Sequence, residues 1–157
     1  ISGNCNSVTL GFAGKGGDET RSRWYPRSPS FVPAGVGVFD RNIGRTWGHA
    51  VHHAALDGGY AYELRLFNDG TAGRELTFTL DRGRVPGVHE VLVWDAARDC
   101  ATQVRDAASF RQALAPGESE YRFVLVGDHE YFERFRTGIS KWQFGLVRVY
   151  PNPFMVW

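Results

Sequence analysis

Lysine is almost missing from this chain. Only Lys15 and Lys141 occur, so sixteen of the eighteen basic residues are arginine. The planar guanidinium suits hydrogen-bonded and stacked surface contacts, though by itself it names no ligand. Net charge is equally scarce. Eighteen basic and seventeen acidic residues leave +1, so no global field draws the chain to nucleic acid or to an anionic membrane surface. No apolar run approaches the roughly 18 residues that a membrane-spanning helix needs, so helical membrane insertion is not expected. Cysteine appears twice, as Cys5 and Cys100. In an oxidising compartment these two could form one bridge closing a loop of almost the whole domain, worth about 4 kcal/mol in the chain-entropy model. The alternative is two unrelated buried thiols.

What is present points to β-structure. Aromatic residues make up 14% of the 157, with 19 glycines and a single methionine, a mix that favours strands and tight turns over helix bundles. The length suits one domain with a real core.

Alternation locates the strands. Val8, Leu10 and Phe12 alternate with small or polar residues over 7–13. A Gly-rich loop follows at 14–19, and 24–33 reads as an extended segment carrying Pro26, Pro29 and Pro33. Short strands are expected at 35–39 and, with a mixed pattern, at 47–53. Tyr60, Tyr62, Leu64 and Leu66 share one face of a long strand, and Leu76, Phe78 and Leu80 one face of the next. The turn Asn68-Asp69-Gly70 between them predicts a hairpin. The run 90–94 reads as a strand covered on both faces, with 101–104 pairing back. Over 106–114 the spacing of Ala107, Phe110 and Leu114 is equally compatible with a short helix or a turn. Two apolar runs close the chain, 121–127 and 144–150, separated by a polar and aromatic connector, and the second ends at a Pro-Asn-Pro breaker. Eight to ten strands without a sustained helix predict an all-β fold, a two-sheet antiparallel sandwich of immunoglobulin-like or jelly-roll-like kind. It should occupy 1–143, with 144–157 as a C-terminal strand and linker.

Chemistry is harder to find. His49, His53 and Asp57 are the nearest approach to a metal site, since His49 and His53 would share a strand face. No firm third ligand accompanies them, and polar residues at a strand edge describe them equally. Acidic residues are scattered and no Asp-x-Asp-x-Asp loop occurs, so calcium would need ligands from distant loops. Otherwise no cofactor is expected. Neither a Gly-x-Ser-x-Gly elbow nor a cysteine with a neighbouring histidine is present, and no carboxylate pair can be singled out, so the chain is not expected to be an enzyme. Trp24, Tyr25, Trp47 and Trp142 lie in expected loops or at strand ends. There they could stack on sugar rings or cover the open ends of the core.

The residues Tyr150, Pro151, Asn152, Pro153 and Phe154 carry a resemblance. Tyr-Pro-Asn-Pro-Phe resembles the opening of the C-terminal sorting domain of proteins exported by the type IX secretion system of Bacteroidota and relatives. The strand 121–127, the pair Glu130-Tyr131, the early Leu10-Gly11-Phe12 and the Pro-rich stretch up to Phe39 resemble the accessory β-sandwich that precedes such a domain. The pattern differs in that sorting domains run well beyond this motif, whereas the sequence stops at Met155-Val156-Trp157, so a fragment or processed piece is expected. The resemblance implies an extracellular or cell-surface location and a stalk, spacer or assembly role beside neighbouring domains, with no catalytic residues. Self-association is a further expectation, with the C-terminal segment after Gly145 adding to a neighbouring subunit's sheet edge to build a filament. A carbohydrate-binding module for surface glycans and a glycoside hydrolase fragment are the rival expectations.

Overall fold

The computed structural model of the chain describes residues 9–12, 23–25, 33–41, 44–52 and 58–143. Their fold is an all-β sandwich with one helix. The large sheet has the order β4 (Arg45–Trp47), β3 (Ala34–Asp40), β6 (Tyr60–Asn68), β11 (Ser119–Gly127), β8 (Glu90–Asp95) and β9 (Cys100–Gln103). Every neighbouring pair in it is antiparallel. A two-stranded ribbon, β7 (Arg74–Asp81) with β10 (Ala107–Leu114), forms the second layer. Three short strands make a separate sheet in the order β1 (Thr9–Phe12), β5 (His49–His52), β2 (Arg23–Tyr25), and β1 runs parallel to β5.

The period-2 pattern divides the large sheet into two differently covered faces. Val38, Tyr62, Leu64, Val91, Val93, Val124 and Val126 point to one side, where Leu80, Ala108 and Phe110 of the ribbon pack on them. Leu125 and Trp94 point to the other side and meet Tyr131 and Phe132 of the helix α1 (His129–Gln143). Strands β8 and β11 are therefore largely apolar on both faces, which is why they read as nearly unbroken apolar runs, whereas β6 alternates, with Glu63 and Arg65 on its second face.

Four expectations need correction. Strands β6 and β7 do not form a hairpin: β6 lies between β3 and β11, and β7 pairs with β10. Alternation reports which way side chains face but not which strand lies alongside. Here the turn after Asn68 carries the chain out of one layer into the other. Residues 107–114 form a strand, because Ala108, Phe110, Gln112 and Leu114 turn inward and the whole segment pairs with β7. The stretch 47–53 is not one strand. The chain bends at Gly48, leaving Trp47 at the end of β4 and His49 at the start of β5, in different sheets. The connector after 127 is a sustained helix. Asp128 caps it by accepting the Tyr131 N–H (2.7 Å), and Glu130 lies in its first turn, beside the positive end of the helix dipole. Tyr131, Phe132 and Phe135 then present one apolar stripe to the sheet. The second apolar run, 144–150, lies outside the described residues, as do Pro151 to Phe154.

Two glycines seat the helix. A Cβ on Gly59 would lie 2.4 Å from the Tyr131 ring, and one on Gly127 would lie 2.7 Å from it. The ring thus rests on bare backbone. Gly127→Ala is expected to cost about 1–3 kcal/mol in urea unfolding, the usual effect of overpacking. Gly87→Ala, with open space around it, should change stability by no more than about 0.5 kcal/mol.

Candidate functional site

The charged side chains of the large sheet fall into two groups, one on each face. On the ribbon side, Arg122 and Asp95 form an ion pair (3.1 Å) with side chains only 8% and 12% exposed. They stand one step beyond the pair Phe123–Trp94 in the β11–β8 register, so parity brings them to the same face. Arg122 also donates to Gln112 Oε1 of the ribbon (2.6 Å), to the Tyr121 carbonyl (2.8 Å) and to Glu120 Oε2 (3.3 Å). Asp95 accepts Arg98 Nη1 (2.6 Å) and the backbone N–H groups of Ala97 (3.1 Å) and Arg98 (3.2 Å). Burial would push the Asp95 carboxyl up. The Arg98 hydrogen bond and the Arg122 charge outweigh it, and its pKa lies below the ordinary aspartate value. The network therefore favours the ionised carboxylate, hydrogen-bonded on both oxygens, and joins sheet to ribbon through Gln112.

On the opposite face, beside the helix, Glu63 is buried and held by a two-pronged bridge from Arg41 Nε and Nη2. The Arg41 guanidinium lies 5.8 Å from the centre of the Tyr121 ring, which packs against Phe39 with centroids 5.2 Å apart. Burial raises the Glu63 pKa above its ordinary value, against the lowering effect of Arg41. Arg65 completes this face. Its guanidinium donates to Ser119 Oγ (3.0 Å) and Thr46 Oγ1 (3.4 Å), and lies 5.4 Å from the centre of the Phe67 ring.

These placements limit the chemistry. Glu63 and Asp95, two of the buried carboxylates, point to opposite faces of one sheet, so this pair cannot flank a scissile bond, which requires both carboxyls on one cleft. A cavity of about 50 Å³ opens between the layers, lined mainly by Leu10, Tyr62, Leu80, Val85 and Val91. It has room for a few waters, whereas small-molecule sites run to about 300–1,000 Å³. Among the described residues no three metal-ligating side chains come together.

Of the residues singled out from sequence, those within the described residues fall on β2, β4, β5, β9 and α1. Trp47 pairs with Val38, whose side chain lies in the core, so it stands half-buried on the ribbon-side face. Trp24 and Tyr25 are on β2, opposite Ala50 and His49 of β5. Trp142 is near the end of α1. His53, Asp57 and Cys5 lie outside the described residues. Cys100 is an exposed free thiol at the start of β9. The polar groups that the fold does bring together, Arg122 with Asp95 and Arg41 with Glu63, lie 27 and 22 positions apart. Their one sequence signal is polarity inside otherwise apolar strands.

Arg122→Ala is expected to cost about 1.5–3 kcal/mol, because Asp95 loses its cross-strand partner while keeping Arg98 and two backbone N–H groups. Replacing both members with well-packed apolar residues should cost far less. The pH dependence follows from the depressed Asp95 pKa. Its contribution is present above the unfolded-state value of 3.8 and fades as pH falls toward the lower folded-state value. Melting temperature measured down an acid series should therefore fall less steeply for Asp95→Asn than for the unsubstituted chain.

No family model and no curated protein matches the chain. Among solved structures, a Bacillus halodurans protein provisionally described as an α-N-acetylgalactosaminidase aligns over 68% of this chain, with a TM-score of 0.33 and 16% identity. The alignment covers 20% of that protein, so the chain spans about a fifth of its length.

Proposed function

We propose that this chain is a non-catalytic structural module of an exported bacterial surface protein, spacing or joining the parts on either side of it. The observation that carries the reading is the use made of Glu63 and Asp95, two of the buried carboxylates. Glu63 is closed by Arg41, and Asp95 by Arg122 and Arg98. A general acid or nucleophile needs an open approach and a tuned partner, whereas these groups fasten strand to strand and layer to layer. The address rests on Tyr150-Pro151-Asn152-Pro153-Phe154 and its resemblance to the opening of a type IX sorting domain. An outer-surface location and neighbouring domains as partners follow from that resemblance.

One observation favours glycan binding as a second reading. The rings of Phe39 and Tyr121 are half-buried on the outer face, beside two guanidinium groups, Arg41 and Arg65. Such a surface offers stacking and hydrogen bonding together.

Both readings can be tested with the folded chain. Incubated with a panel of aryl glycosides and screened on a glycan array, it is expected to turn over none and to retain none. Turnover lost in a folded Glu63→Gln or Asp95→Asn variant would make it an enzyme. Glycan retention lost in Tyr121→Ala would replace the structural reading with the binding one. For the address, protease shaving of cells that export the full reading frame should release the module from the outer surface. Pro151→Ala combined with Pro153→Ala should reduce that release.

A further inference from the structure

Among the described residues, β9 has a partner on one side only, and all four of its residues are exposed. The bond from the Val104 N–H to the Val91 carbonyl (2.8 Å) fixes which peptide groups the strand leaves open. The groups of alternate residues point to opposite sides of a strand. Those of Val104 and Thr102 therefore face β8, and those of Ala101 and Gln103 face outward. Cys100-Ala101-Thr102-Gln103 contains no lysine, proline or charge to discourage pairing.

The residues flanking this edge carry a second signal. From 98 to 106 the chain reads Arg-Asp-Cys-Ala-Thr-Gln-Val-Arg-Asp. Laid antiparallel on itself about Thr102, it sets Arg98 against Asp106 and Asp99 against Arg105. All four of these charged residues are exposed. The first two are held in place at the start of the strand. Arg98 donates to Asp95 (2.6 Å), and Arg136 of α1 donates to both carboxylate oxygens of Asp99 (3.0 and 2.6 Å).

The open peptide groups restrict how a second strand can lie here. An antiparallel partner bonds to the edge only where outward-facing residues of both strands meet. Between two copies of β9, that allows pairing centred on Cys100, Ala101, Thr102 or Gln103. The pairing about Thr102 alone opposes all four flanking charges with the opposite sign. It also bonds Ala101 to Gln103 in both directions and places the two Thr102 side chains opposite one another, a favourable cross-strand pair.

We propose that β9 pairs antiparallel with β9 of a second copy of this chain, in a two-fold dimer centred on Thr102. The contact is isologous, so a single interface uses up both edges and the assembly closes at two copies. Arg98 and Asp99 of each copy stand beside Asp106 and Arg105 of the other. Cys100 lies opposite Val104 in this register. The two Cys100 thiols are then roughly 13 Å apart along the strands, too far for a disulfide. The contact is small, and small interfaces associate weakly, so the dimer belongs to high protein concentration. The inference goes beyond the structural reading and can fail independently of it.

Sedimentation of the intact chain in reducing buffer tests it. As concentration is raised to about 1 mM, the mean mass is expected to climb from one copy and level at two. Amide exchange at Ala101 and Gln103 should slow in step, while Val93 and Val124 at the sheet centre stay protected throughout. Two variants are expected to keep the fold and weaken association about tenfold or more. Ala101→Pro removes an outward N–H that β8 does not use. Arg105→Asp combined with Asp106→Arg keeps the composition and sets like charges against one another. A single copy at every concentration would overturn the proposal, as would association unchanged in either variant. A dimer that forms only without reductant would also overturn it, assigning the contact to Cys100. So would protection of Ala101 and Gln103 that is independent of concentration, which would give the edge to another part of the same chain.

Discussion

The sandwich depends on one buried amide. Asn68 ends β6, where the chain leaves the large sheet for the ribbon, and it is fully buried. Its side-chain N–H groups reach the carbonyls of Ala72 (2.9 Å), Ala115 (3.1 Å) and Leu114 (3.2 Å), and its Oδ1 accepts the Gly70 N–H (3.2 Å). Its backbone N–H and C=O are taken by Glu118 (2.9 Å) and Gly117 (2.7 Å). The chain crosses between layers twice at this point, outward after β6 and back after β10. Each crossing strips peptide groups of ladder partners, and a buried peptide group without a partner is costly. One asparagine meets the demand at both crossings.

The ionic groups serve a similar end. Arg122 joins β11 to β8 and, through Gln112, to the ribbon, while Asp99 joins α1 to the turn before β9. Arg41 closes the outer face over Glu63. A buried pair of this kind adds little net stability against an apolar equivalent, yet it penalises any register that separates the partners. The sheet has several apolar strands that could slide past one another. Polar pins at fixed positions therefore favour one alignment.

Much of this architecture was legible in the residues. Alternation identified β3, β6, β7, β8 and β11, because a half- or fully buried strand must present apolar side chains at period 2 or throughout. Pairing was not legible. Asn68-Asp69-Gly70 looks like a hairpin turn, and only the bonds from the Asn68 amide to Leu114 and Ala115 show that it turns between layers. The helix was masked because its stripe of Tyr131, Phe132 and Phe135 is aromatic, and aromatic richness elsewhere in this chain marks strands. The pairs Arg122–Asp95 and Arg41–Glu63 were invisible because each joins residues more than twenty positions apart whose meeting depends on how the strands lie together. Trp47 illustrates the same limit. Its type left a sugar-stacking platform and a cover over the end of the core both open, and its pairing with Val38 turns it toward the ribbon side.

The claim that buried polar groups hold the layers in place is tested most directly at Asn68. Amide exchange should be compared in the unsubstituted chain and Asn68→Ala. The account predicts that ribbon amides such as Phe78 and Phe110 lose protection before those of Leu64 and Val124 in the large sheet, with overall stability lower by about 2–3 kcal/mol. Unchanged stability, with ribbon and sheet exchanging together as before, would contradict it.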